Sequence, residues 1–166
     1  MTEAVPYSES ERVFMIIKET KYKSIRKLLL TGDGTYSNVL NELGEYALAN
    51  HLANTGYPNA LLDREEAFPT GIMASVGIAI PHTGQEFTKE GTIVISILEK
   101  EAVFKSMGSF KPVDVKVIFQ LLLNKPENQV KMLGKIVDYI QDSAKMKQLI
   151  DEIQLEELYE DFGQYV

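Results

Sequence analysis

A chain of 166 residues with 45% hydrophobic content and a net charge of −7 is long enough to bury one sizeable core and short for two. It contains no cysteine, so disulfides, thiol nucleophiles and cysteine-based zinc sites are excluded together, and chemistry falls to two histidines and the carboxylates. The acidic balance argues against a nucleic-acid surface, no apolar run reaches the roughly eighteen residues of a membrane span, and the start of the chain lacks a signal-peptide pattern. The expectation is one soluble, cytoplasmic domain that neither binds nucleic acid nor inserts into a membrane.

Residues 1–24 are mixed in character and read as an N-terminal extension, with a short element near Val13 to Ile17, and the domain proper is expected over 25–166. Residues 25–30 read as a strand closed by Thr31-Gly-Asp-Gly34, a turn built on residues that tolerate positive φ. From Ser37 the apolar residues Val39, Leu40, Leu43, Tyr46 and Ala47 recur at helical spacing, which predicts an amphipathic helix running towards Asn54-Thr-Gly56. Gly44 inside it costs about 1 kcal/mol against alanine. Tyr57-Pro58 opens a second helix that carries Asp63-Arg-Glu-Glu66 and stops before Phe68-Pro69.

A short extended piece follows at 70–73, then a strand over 78–80 that leads into His82. Residues 92–98 are β-branched and read as a buried strand, with Val103-Phe104 as a short partner across the intervening turn. The apolar run over 115–123 predicts a central strand. A helix starts at Asn124 and buries Val130, Leu133, Ile136, Val137 and Ile140, and two further helices are expected over 143–150 and 155–162. The order predicts an α/β fold: a single-domain mixed β-sheet flanked by helices on its faces.

Gly77-Ile-Ala-Ile-Pro-His-Thr-Gly84 delivers a histidine straight off a strand, between glycines and behind a proline that fixes the backbone. Position alone leaves two readings of His82: a hydrogen-bonding structural residue, or a neutral imidazole serving as nucleophile or base. Thr83 and the backbone N–H groups after it are placed to donate to an anion. Metal chemistry is disfavoured, because the other histidine, His51, falls on the first helix without a His-Glu-x-x-His spacing. A serine hydrolase is unsupported for want of a Gly-x-Ser-x-Gly elbow, and Gly32-Asp-Gly34 lacks the third glycine of a dinucleotide fingerprint.

Arg64-Glu-Glu-Ala-Phe-Pro-Thr-Gly-Ile and Gly77-Ile-Ala-Ile-Pro-His-Thr, in this order, carry a resemblance. The chain resembles the enzyme IIA component of the bacterial sugar phosphotransferase system, in the fructose/mannitol superfamily, and most closely galactitol-type IIA proteins, over about residues 25–162. The resemblance implies the fructose/mannitol-type IIA fold and no cofactor. It implies that His82 accepts a phosphoryl group at Nε2 from the phosphocarrier protein HPr and passes it to a cysteine of a IIB protein, which works with a membrane IIC component in uptake of galactitol or a related sugar.

Arg64 is the expected phosphate clamp, since a guanidinium holds phosphate oxygens in a forked geometry, and Thr70 and Thr83 are expected hydroxyl donors. Glu65 and Glu66 are expected to pair with basic residues or face solvent, and Phe68, Ile72 and Phe87 to form either a partner-contact rim or core. Mannitol- and fructose-type members carry a second histidine where this chain has Gln129, a side chain that donates to phosphate without charge; this fits galactitol-type members. The alternative is an IIA-like regulatory module, in which phosphorylation of His82 is a signal.

Overall fold

Strand pairing begins at Ile16 in the computed structural model, which describes residues 16–32, 34–152 and 155–166. Strand β1 (Ile16–Tyr22) lies antiparallel to β2 (Ile25–Leu30). Residues 16–22, expected as part of a peripheral extension, therefore form an edge of the sheet. Their alternation is too polar to signal a strand because one face meets solvent; Arg26 ties the edge down by donating to the Tyr46 hydroxyl at 3.0 Å and facing Glu19 at 3.7 Å. The part of the expected Val13 to Ile17 element before Ile16 lies outside the described residues.

Helices α1 (Tyr36–Ala49) and α2 (Tyr57–Ala67) follow, then the short strands β3 (Ile72–Met73) and β4 (Gly77–Ala79). A long hairpin of β5 (Thr92–Lys105) and β6 (Pro112–Leu122) forms the middle of the sheet. Helices α3 (Pro126–Ile140), α4 (Ser143–Asp151) and α5 (Leu155–Phe162) complete the chain. The six strands run β1-β2-β5-β6-β4-β3, with β2 parallel to β5, β4 parallel to β6 and the remaining pairs antiparallel.

The central strands are apolar on both faces because both faces are covered. Val94, Leu98, Ile118 and Leu122 point to one side, against Leu40, Leu43, Tyr57 and Leu61 of α1 and α2. Ile93, Ile95, Ile97, Phe119 and Leu121 point to the other, against Met132, Ile136, Met146, Leu158 and Phe162 of α3 to α5.

Four expectations are corrected. Val103-Phe104 is no separate partner strand: β5 continues to Lys105, and the turn-like residues at 99–101 are a register break between Ile97 and Ala102, both halves pairing with β6. The apolar stripe of α3 is rotated, with Met132, Ile136 and Ile140 buried and Val130 78% exposed, because the contact line with Phe119 and α5 picks one face from a wider apolar arc. Helix α3 begins at Pro126, two residues after the expected start at Asn124, with Lys125 as the N-cap.

The fourth concerns His51, which is no helix-face residue. Helix α1 ends at Ala49, and His51 sits just beyond it with φ of 60°. There His51 N–H donates to Leu48 and Leu52 N–H to Ala47, the paired bonds of a Schellman stop. Gly44 has a reason as well: a Cβ there would stand 2.8 Å from Pro58 Cα, so the glycine lets α1 and α2 pack closely.

Candidate functional site

The parallel pairing of β4 with β6 brings the ends of both strands to one side of the sheet. The backbone then runs on past Ala79, with Leu121 N–H donating to the Pro81 carbonyl at 3.1 Å and His82 aligned beside Leu121. His82 is thus fixed at a strand end, only 8% exposed, rather than carried on a free loop. The segment after it is pinned to the α1–α2 connection: Asn54 N–H donates to Phe87 at 2.9 Å and Lys89 N–H to Leu52 at 2.8 Å.

Nδ1 of His82 lies 2.8 Å from the Ile80 carbonyl oxygen. A carbonyl only accepts, so Nδ1 carries the hydrogen and Nε2 keeps its lone pair. Burial pushes the imidazole pKa below its usual range; the Ile80 bond opposes that, and the positive charge of Arg64 adds to it. The neutral, Nε2-nucleophilic form is therefore the one favoured near neutral pH.

Arg64 comes from the last turn of α2, exposed, with its guanidinium over the Phe68 ring at 4.9 Å and no ion pair to another described residue. Its positive charge is felt at the His82 ring. The other arginine among the described residues, Arg26, is occupied by Tyr46, Asn50 and Glu19 on another part of the surface.

Glu65, one residue on, behaves otherwise than expected. It is buried, and its carboxylate accepts the Thr70 backbone N–H at 2.7 Å and the Thr70 hydroxyl at 2.9 and 3.1 Å. Desolvation raises its pKa and the two Thr70 bonds oppose the rise. Burying a carboxylate costs several kcal/mol, and each charge-assisted bond returns about 1.5–3 kcal/mol, so the two sides roughly balance. The signal was present in the sequence: Tyr57, Leu61 and Glu65 are spaced by four and form the buried stripe of α2.

Thr70 is corrected with it. Its single hydroxyl hydrogen goes to Glu65 and its oxygen accepts Ile80 N–H at 2.9 Å, which leaves it nothing to donate to a phosphate. Thr83 is half-buried, its hydroxyl turned to the Gly84 carbonyl at 3.0 Å. Gln129 stands half-buried in the first turns of α3, which begins just after β6 has passed His82. Glu66 accepts from the Tyr36 hydroxyl at 3.1 Å; Phe68 is 63% exposed, while Ile72 and Phe87 pack partly buried against the two cores.

No helix among the described residues is long and apolar enough to cross a membrane. Residues 34–163 match the family described as "Phosphoenolpyruvate-dependent sugar phosphotransferase system, EIIA 2". The "PTS system galactitol-specific EIIA component" of Escherichia coli K12 is 31% identical over 126 residues, which cover 74% of this chain and 84% of that protein.

Among solved structures, the E. coli complex of "enzyme IIAMTL and phosphorylated enzyme IIBMTL" contains a chain that superposes with a TM-score of 0.64 at 16% identity, over 87% of this chain and 97% of that one. Nitrogen regulatory protein IIA-Ntr from Neisseria meningitidis superposes with a TM-score of 0.63 at 22% identity, over 84% and 92%. These likenesses are of fold, and they match the mixed sheet with helices on both faces read from the sequence. The extent of the family match, joined to the galactitol relative, makes this chain a member of the sugar phosphotransferase system EIIA type 2 family, a phosphotransferase carrier of sugar transport.

Proposed function

We propose that His82 accepts a phosphoryl group from phospho-HPr at Nε2 and passes it to a cysteine of a IIB protein, in uptake of galactitol or a related sugar through a membrane IIC component. The observation that carries this reading is the Nδ1–Ile80 bond, which leaves Nε2 as the nucleophilic atom. The Nε2 lone pair attacks phosphorus as the bond from phosphorus to the donor ring nitrogen breaks, and that electron pair returns to the donor. Because Nδ1 keeps its hydrogen, the phosphorylated ring is cationic and leaves as neutral imidazole when a thiolate attacks in turn.

Arg64 supplies the charge that holds the phosphoryl oxygens, with Gln129 and the Thr83 segment as uncharged donors around it. The galactitol relative supports the substrate class, and the mannitol IIA–IIB complex supports IIB as acceptor. Incubation with phosphoenolpyruvate, enzyme I and HPr should label the protein, and His82→Ala should abolish the label. An unlabelled wild-type protein beside active controls defeats the proposal. The likeness to a nitrogen regulatory IIA favours a second reading, in which phosphorylation is a signal; labelling of His82 with no transfer to any IIB protein would select it.

A further inference from the structure

We infer that Glu65 is a positioning residue for phosphoryl acceptance at His82, acting through the Thr70 hydroxyl and the backbone of Ile80. The inference rests on the acceptor role proposed above. Three links form one chain: Thr70 hydroxyl to Glu65 carboxylate at 2.9 Å, Ile80 N–H to Thr70 hydroxyl at 2.9 Å, and His82 Nδ1–H to Ile80 carbonyl at 2.8 Å.

Each link has a direction. The Glu65 oxygens accept both the Thr70 N–H and the Thr70 hydroxyl, so the one hydroxyl hydrogen points at Glu65 and the hydroxyl lone pairs face Ile80 N–H. Strand β4 ends at Ala79, so the hydroxyl stands where a strand neighbour would otherwise take that N–H. With its N–H held, Ile80 presents its carbonyl to the ring, and that carbonyl selects the His82 tautomer. Packing alone does not call for a carboxylate here: after Tyr57 and Leu61, an apolar side chain would continue the buried stripe of α2 without the cost of desolvation. The same helix also carries Arg64, so one turn of α2 supplies the phosphate charge outward and the tautomer control inward.

The test joins long-range ¹⁵N–¹H spectra of the His82 ring, which read the tautomer directly, to rates of phosphorylation by phospho-HPr in the full chain. Thr70→Val keeps the side-chain shape and removes the hydroxyl; His82 should pass from the Nδ1–H tautomer to a mixture, with a rate loss of about tenfold. Thr70→Ser should restore both, to within about twofold in rate.

Glu65→Met, which leaves the hydroxyl hydrogen without its acceptor at similar side-chain length, should shift the tautomer in the same direction and slow the rate about threefold. It decides the matter should Thr70→Val not fold. Either variant, folded and holding the wild-type tautomer and rate, overturns the inference. If wild-type His82 takes no phosphoryl group, the functional reading fails separately, and the tautomer measurement still decides whether Glu65 positions the ring.

Discussion

At His82, burial, a backbone acceptor and the charge of Arg64 all bear on one imidazole ring, and together they favour its neutral form with a hydrogen on Nδ1. The carbonyl removes Nδ1 from competition and burial favours the neutral ring, and on the proposed function Arg64 meets the charge that arrives with phosphate. The electrostatic share should fall mainly on Arg64, because a charge-assisted bond outweighs the contribution of an uncharged donor such as Gln129. Arg64→Ala is accordingly expected to slow phosphorylation of His82 about 10- to 100-fold in a rapid-quench assay, with Arg64→Lys recovering only part because it loses the fork. At this scale the places of His82 at a strand end and of Arg64 near the end of α2 were legible in the two motifs, while their roles as nucleophile and phosphate clamp belong to the proposal. The role of Thr70 was not, since a hydroxyl reads the same whether its hydrogen faces a ligand or a buried glutamate.

Among the elements, α1 shows how local preference yields to packing. Gly44 lowers helix propensity by about 1 kcal/mol, yet a Cβ at that point would press on Pro58 of α2. Gly44→Ala should therefore destabilise the protein by about 1–3 kcal/mol in denaturant titrations despite alanine's better propensity. The end of the same helix predicts the opposite sign. His51 occupies the left-handed position of a Schellman stop at φ of 60°, which costs a residue with a Cβ about 1 kcal/mol, so His51→Gly should raise stability by about that amount. The first prediction turns on a contact with a neighbouring helix and the second on a local stop that lacks its usual glycine, and without that glycine as a signal the helix was expected to run past its true end.

For the whole molecule, Lys27 links layers that are far apart in sequence. It is buried on β2, and its ammonium donates to the carbonyls of Leu149 and, at 2.7 Å, Glu152 at the end of α4. Burial first, then the charge of Lys18, lowers its pKa from 10.5 to about 8, while Asp151 opposes them. Between those values the unfolded chain binds a proton that the folded chain has released, so stability rises with pH from about 8 towards 10.5. Above pH 10 the trend reverses, because burial raises Tyr46 and Tyr139 from 10.0 to about 12 and the folded state keeps protons that the unfolded state loses. Chemical denaturation at a series of pH values between 8 and 9.5 should show the rise in the wild-type protein and little of it in Lys27→Met.

The order of strands and helices, the two-faced core strands and the strand-borne histidine follow from sequence alone, because periodicity and chain punctuation are local properties that survive in a one-dimensional string. Tertiary structure decided the rest. It drew residues 16–22 into the sheet, joined β5 across its register break and turned α3 so that Val130 faces outward. It also buried Glu65 against Thr70. Each of these depends on which neighbour an element meets, and a pattern of apolar and polar residues sets the faces available without choosing the partner that covers them.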